Sequence, residues 1–215
     1  MGTDVIEYLS PREFEEGKPG EEGRFELVLK IIADVSIIGF PNAGKSTLLS
    51  KLSKARPKVA AYPFTTLQPT VGILEFEDYH TLRVADVPGL IEGASRNRGL
   101  GHDFLRHIER SRFFIVLLDA GCTEGREPWD DYKTLLNELK LYQPALLKRP
   151  RLVAANKTDL AGADEKLAAL RKKVKERILP ISANEGTGVG KLITLLHDFF
   201  FEAKPARRTA IKARG

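Results

Sequence analysis

The stretch Gly39-Phe40-Pro41-Asn42-Ala43-Gly44-Lys45-Ser46-Thr47 decides the fold through what flanks it. Upstream, "FELVLKIIADVSIIGF" (residues 25–40) reads as a strand, and downstream "KSTLLSKLSKA" (45–55) reads as a helix. A glycine-bearing turn that closes a strand and opens a helix is the setting of a phosphate-binding P-loop. Gly39, Gly44, Lys45 and Ser46 have the required Gly-x4-Gly-Lys-Ser spacing. The glycines let the backbone curl until successive N–H groups point inward, and the helix N-terminus adds partial positive charge toward an anion. Lys45 would reach the β- and γ-phosphates of a nucleotide, and Ser46 would ligate Mg²⁺.

Outward from this loop, strand-like and helix-like segments alternate, as in an α/β fold. "TVGILEFED" and "HTLRVADV" read as two strands joined around Asp78-Tyr79, hence an antiparallel hairpin. "GHDFLRHIERS" has helical periodicity, "RFFIVLLDA" is a buried strand, and "WDDYKTLLNELKLYQPALL" is an amphipathic helix. "RPRLVAANK" and "RILPISA" complete the strands, while "DEKLAALRKKVKE" and "GVGKLITLLHDFFFEA" complete the helices. The expectation is a mostly parallel six-stranded sheet with five helices on its two faces. Right-handed crossovers would set the ligand crevice at the carboxyl ends of the strands.

A P-loop alone does not choose the base. "NKTD", carrying Asn156, Lys157, Thr158 and Asp159, follows a strand and belongs at the same sheet edge. The Asp159 carboxylate can accept from N1–H and the exocyclic amine of guanine, a pair that adenine lacks. A site built on such an acceptor rejects the wrong base strongly. In this reading Lys157 lies over the purine, and Asn156 braces the loops. "SAN" (Ser182, Ala183, Asn184) follows the last strand and would offer backbone N–H groups to guanine O6.

Two further segments are expected to sense the γ-phosphate. In "YPFTTLQP", Thr65 and Thr66 lie in a proline-flanked loop, and Thr66 is the favoured hydroxyl to complete the Mg²⁺ shell. In "DVPG", Asp86 would hold Mg²⁺ through water and the Gly89 N–H would contact the γ-phosphate, so hydrolysis would release both loops. Leu90 follows Gly89, where a water-orienting polar side chain would be expected, and leucine cannot polarise water.

The segments "GFPNAGKSTLLSKLSKARPKVAAYPFTTLQPTVG", "DVPGLIEGASRNRGLGHDFLRHIERS" and "NKTDL" resemble the G domain of the Obg family of GTPases, whose members assist assembly of the large ribosomal subunit. The resemblance covers roughly residues 24–200. It implies a Ras-like P-loop domain binding GTP and GDP at residues 39–46, at Phe64, Thr65, Thr66, Leu67 and Gln68, at Asp86, Val87, Pro88 and Gly89, and at the NKTD and SAN residues. The family's glycine-rich N-terminal domain is represented only by the segment that hands over to the G domain, so a G domain or a shortened member is expected. The resemblance also suggests a source for the help that Leu90 cannot give. Related GTPases with a hydrophobic residue there hold K⁺ through an Asn at the Asn42 position, making K⁺ a candidate cofactor beside Mg²⁺. Lys45, Thr66, Gly89 and Asn42 are therefore the candidate catalytic residues.

Composition sets the remaining bounds. Apolar residues make up 42% and charged residues 29%, ordinary values for a globular chain, and no run reaches the roughly 18–20 apolar residues of a membrane span. Residues 1–23 read as an acidic flexible segment, residues 24–202 as the G domain, and residues 203–215 as a basic tail. The net charge of +5 resides in that tail, which carries Lys204, Arg207, Arg208, Lys212 and Arg214 without an acid. The tail could touch RNA phosphates or be a solvated end. A single cysteine, Cys122, fits a reducing intracellular compartment, cytoplasm or mitochondrial matrix, and is read as structural. His102, His107, Arg96 and Arg98 are read first as packing or solvated residues, and Trp129 as a packing residue. A monomer is expected, with ribosomal RNA and proteins as partners. Two functions compete: a slow GTPase switch, and a GTP-gated binding module whose hydrolysis is negligible.

Overall fold

In the computed structural model the described residues are 20, 23, 33–59, 69–86 and 111–202. Among these residues seven strands form one sheet: β1 (Val35–Ile38), β2 (Lys58–Val59), β3 (Thr70–Glu75), β4 (Thr81–Asp86), β5 (Phe113–Asp119), β6 (Arg151–Asn156) and β7 (Ile178–Pro180). Their order is β2-β3-β4-β1-β5-β6-β7. β1 pairs in parallel with both β4 and β5, and β5, β6 and β7 continue in parallel. β3 runs antiparallel to β4, and β2 antiparallel to β3.

The expected six strands are joined by a seventh, β2, at the sheet edge. Its two residues are both exposed, so no alternation of apolar and polar side chains marks it in the sequence. The expected hairpin is present and turns at Tyr79, whose φ of 65° places it in the left-handed region.

Four α-helices lie among the described residues: α1 (Lys45–Leu52), α2 (Pro128–Tyr142), α3 (Ala163–Lys173) and α4 (Val189–Phe200). The helix expected from "GHDFLRHIERS" lies outside the described residues but for its final Ser111, as do residues 25–32 of the expected first strand. The segment expected to continue α2 through residue 147 breaks instead. Gln143 is extended, and Pro144–Lys148 forms a separate 3-10 turn, because proline disfavours a helical residue before it. α3 carries Asp164 and Glu165 in its first turn and Arg171, Lys172 and Lys173 in its last, matching the helix dipole.

β5 is buried along all seven residues because both sheet faces are covered. Its alternate side chains divide the core. Phe114, Val116 and Leu118 face the layer holding Leu135 and Leu139 of α2 with Leu167 and Leu170 of α3. Phe113, Ile115 and Leu117 face Leu48 and Leu49 of α1 with Leu192 and Leu196 of α4. Each large apolar side chain so buried stabilises the fold by about 1.5–3 kcal/mol before entropy is counted. The consequence for function is geometric: β1, β4, β5, β6 and β7 all end at one sheet edge, where Asp86 closes β4 and the loops after β1, β5, β6 and β7 gather.

Candidate functional site

The turn between β1 and α1 is held by its backbone. Gly44 has φ 97°, and a methyl group on it would also overlap Asn156 Nδ2, so two independent constraints require glycine there. At Gly39 the constraint is close approach, since a Cβ would lie 2.5 Å from the Leu117 carbonyl oxygen. Phe40 is buried beneath the Arg126 guanidinium, 4.9 Å from its ring centre, whereas Pro41, Asn42, Ser46 and Thr47 are exposed. The Lys45 ammonium donates to Phe40 O at 3.0 Å and so lies across the mouth of the turn. Burial pushes its pKa below the ordinary lysine value, and the nearby Asp86 charge works against that shift.

Asp86 ends β4 beside this loop. Its Oδ2 accepts from Ser46 Oγ at 2.8 Å, while its Oδ1 is buried with no hydrogen-bond partner among the described residues. A carboxylate oxygen without a donor next to a serine hydroxyl is an oxygen-rich set that suits a hard divalent cation such as Mg²⁺. The residues therefore fit the expected ion.

Asn156 knits three loops together. Its Nδ2 donates to Ala43 O at 2.8 Å, and its Oδ1 accepts from Ala183 N at 2.9 Å. The next residue, Lys157, has φ 63°, and Thr158 fastens the turn by donating to Ile181 O from both N (3.2 Å) and Oγ1 (2.9 Å). Leu160 N closes it on Lys157 O at 3.1 Å, which presents Asp159 with an exposed carboxylate at the rim.

Three sets of expected site residues have partners within the chain itself. Of the three N–H groups expected to face a base, Ser182 N donates to Thr187 O at 2.9 Å and Ala183 N to Asn156, so within the chain those two are already engaged. Asn184 N has no acceptor among the described residues. The Asn42 amide nitrogen donates to Glu124 Oε1 at 2.9 Å, away from the turn. The Lys157 ammonium is held by Asp119 Oδ2 at 2.8 Å and Thr123 Oγ1 at 2.6 Å.

Asp119 was not among the expected site residues, yet it organises the rim beside Lys157. Besides Lys157, its carboxylate accepts from Gly121 N at 2.9 Å, Thr123 N at 3.2 Å and Thr123 Oγ1 at 2.5 Å. Burial alone would raise its pKa, but the donors from Lys157 and Thr123 outweigh burial and hold it below the ordinary aspartate value. The available signal was an acidic residue closing an otherwise apolar strand, one that needs partners if buried. Phe64, Thr65, Thr66, Leu67, Gln68, Val87, Pro88, Gly89 and Leu90 lie outside the described residues.

A family model described as 50S ribosome-binding GTPase matches residues 34–157, from the start of β1 to the first two residues of the Asn156–Asp159 turn. GTPase Obg of Opitutus terrae is 55% identical over 185 residues, covering 84% of this chain and 54% of that protein. GTPase Obg of Herpetosiphon aurantiacus is 53% identical over 207 residues, covering 94% of this chain and 47% of that one. The chain belongs to the Obg GTPases of this family. It spans about half the length of the curated relatives it matches. Beyond the Obg proteins the fold is shared more widely: a crystal structure of Aquifex aeolicus Era bound to GDP and AlF4⁻ superimposes with a TM-score of 0.57 at 24% identity, over 83% of this chain and 60% of that one. That likeness establishes the Ras-like P-loop architecture. In this Obg domain Asn156 joins the β1–α1 turn to the loop after β7, and Asp119 ties the loop after β5 to Lys157.

Proposed function

We propose that the chain binds GTP and GDP and hydrolyses GTP slowly to GDP and phosphate, with Mg²⁺, as a switch in assembly of the large ribosomal subunit. The observation that carries this reading is the meeting at one sheet edge of the P-loop, the Ser46–Asp86 pair and the Asn156–Asp159 turn. In this role the backbone of residues 39–46 and Lys45 cradle the phosphates, and Asp159 reads guanine. Ser46 and Asp86, with Thr66, would hold Mg²⁺, whose contribution when bound is to neutralise charge on the phosphates. The Gly89 N–H would report the γ-phosphate. Because Leu90 cannot orient water, hydrolysis needs an added group. K⁺ held by Asn42 is one candidate. With the amide nitrogen on Glu124, the side-chain oxygen is the atom suited to a cation. A contact on the ribosome is the other.

The matched family's description supports a 50S partner, and the bacterial sources of the Obg relatives favour the bacterial cytoplasm over a mitochondrial matrix. No described helix is long and apolar enough to cross a membrane. Leu90 also favours a second reading, a GTP-gated docking module with negligible hydrolysis. Single-turnover phosphate release from GTP, in K⁺ and in Na⁺ and with and without 50S subunits, separates the two. Release accelerated by K⁺ or by subunits supports the switch. Absence of release under all four conditions, with GTP-dependent subunit binding retained, supports the docking module.

A further inference from the structure

Away from the nucleotide edge, the turn of the β3–β4 hairpin meets the last turn of α4. Asp78 and His80 come from the hairpin and His197 from the helix, and one ligand atom from each lies within 4.8 Å of the others. Asp78 Oδ2 is 2.8 Å from His80 Nδ1 and 2.7 Å from His197 Nε2. A carboxylate can only accept, so both ring nitrogens point an N–H at one oxygen. The other carboxylate oxygen, Oδ1, accepts from the backbone N–H of His80 at 3.3 Å, which fixes the orientation of the group. From this convergence we propose that Asp78, His80 and His197 form a divalent transition-metal site of the zinc type, which ties the hairpin to the closing helix.

The chemistry of the set selects the ion. Two imidazoles and one carboxylate are the donors that Zn²⁺ accepts with three protein ligands and a water, whereas Mg²⁺ prefers oxygen alone. The metal takes the position of the two ring protons. Each imidazole keeps one proton by moving it to its other nitrogen, His80 to Nε2 and His197 to Nδ1, so no net proton is required from either ring. His197 Nδ1 lies 4.0 Å from Asp198 Oδ1, a carboxylate placed to favour that tautomer. Asp78, as an ordinary aspartate, is an anion at neutral pH and supplies the negative charge of the set.

The rings are also held before any ion arrives. Phe201 stacks on His80 with centroids 4.2 Å apart at 8°, and the Phe76 edge meets His197 at 5.0 Å. Ligands already oriented by packing lose less freedom on binding. With His80 and Asp78 side chains 52% and 44% exposed, a hydrated ion can reach them and small side-chain rotations can close the shell. The ends of this clamp are informative. β4 runs from the hairpin to Asp86, so an ion here would stiffen the strand that delivers that carboxylate.

The test is calorimetric titration of the whole chain with Zn²⁺ in excess Mg²⁺, followed by Co²⁺ substitution read by visible absorption. The expected result is one Zn²⁺ per chain, a Co²⁺ d–d band, and affinity at least about tenfold weaker in His80→Ala and in His197→Ala. Heteronuclear NMR of the unaltered chain should show Zn²⁺ moving the His80 and His197 ring signals, a readout that needs no variant. Failure to bind stoichiometrically, binding unchanged in the double variant, or His80 and His197 signals that stay put would overturn the site.

Discussion

The side chain of Asn156 grips Ala43 O at 2.8 Å across 113 residues of sequence, and it is 2% exposed. Because its other side-chain atom accepts from Ala183 N, one amide fixes the relative position of the β1–α1 turn and the loop after β7. Replacement by Ala leaves a buried carbonyl and a buried N–H without that partner. Asn156→Ala is expected to cost about 1–3 kcal/mol for each group left unsatisfied. Urea unfolding should show a lower midpoint at unchanged slope, with nucleotide affinity falling in parallel. An unchanged midpoint would mean that the two loops hold their positions without this amide.

Asp119 provides a pH signature. Its folded-state pKa is depressed below the unfolded aspartate value of about 3.9, so its contribution is fully present above that pH. The contribution is lost as pH falls through the lower, folded value. Asp119→Asn should therefore be less stable at neutral pH and should lose less stability than the unaltered chain between roughly pH 5 and pH 3. Urea midpoints measured across that window test the sign. An equal acid limb in both proteins would remove Asp119 as its source.

The Ser46–Asp86 pair makes a prediction about Mg²⁺. Asp86→Asn removes the one charged side chain of the proposed ion site while nearly keeping its shape. Outer-sphere partners of a metal typically matter by about 10–100-fold in metal affinity. Guanine nucleotide affinity in Mg²⁺ should then drop toward its value in EDTA, as followed by fluorescence of a labelled GDP. If Mg²⁺ strengthened binding equally in both proteins, the ion would be held elsewhere.

Much of this architecture was legible because local pattern and global position agree. The alternation in β5 that sends Phe114, Val116 and Leu118 one way and Phe113, Ile115 and Leu117 the other is written in a seven-residue apolar run. The P-loop could be placed because Gly39, Gly44, Lys45 and Ser46 are sequential. What escaped were contacts between residues far apart in the chain: Asn42 with Glu124, Lys157 with Asp119, and Asp78 with His197, which is 119 positions away. Spacing carries no trace of such pairs. The β2 strand escaped for a different reason, since two exposed residues at an edge have no buried face to impose a period. Pro144 shows the converse case, a local rule present in the sequence that the helical periodicity around it obscured.

Guanine selection is the central claim, and it rests on Asp159 at the rim of the turn that Thr158 fastens to Ile181. The direct measurement is competition of GDP, ADP and XDP against a labelled guanine nucleotide for the unaltered chain, and against a labelled xanthine nucleotide for Asp159→Asn. The carboxylate should prefer GDP and ignore ADP, and the amide, which can donate to the O2 of xanthine, should reverse the preference toward XDP. Equal competition by ADP and GDP in the unaltered chain, or an Asp159→Asn protein that still prefers GDP over XDP, would contradict the assignment.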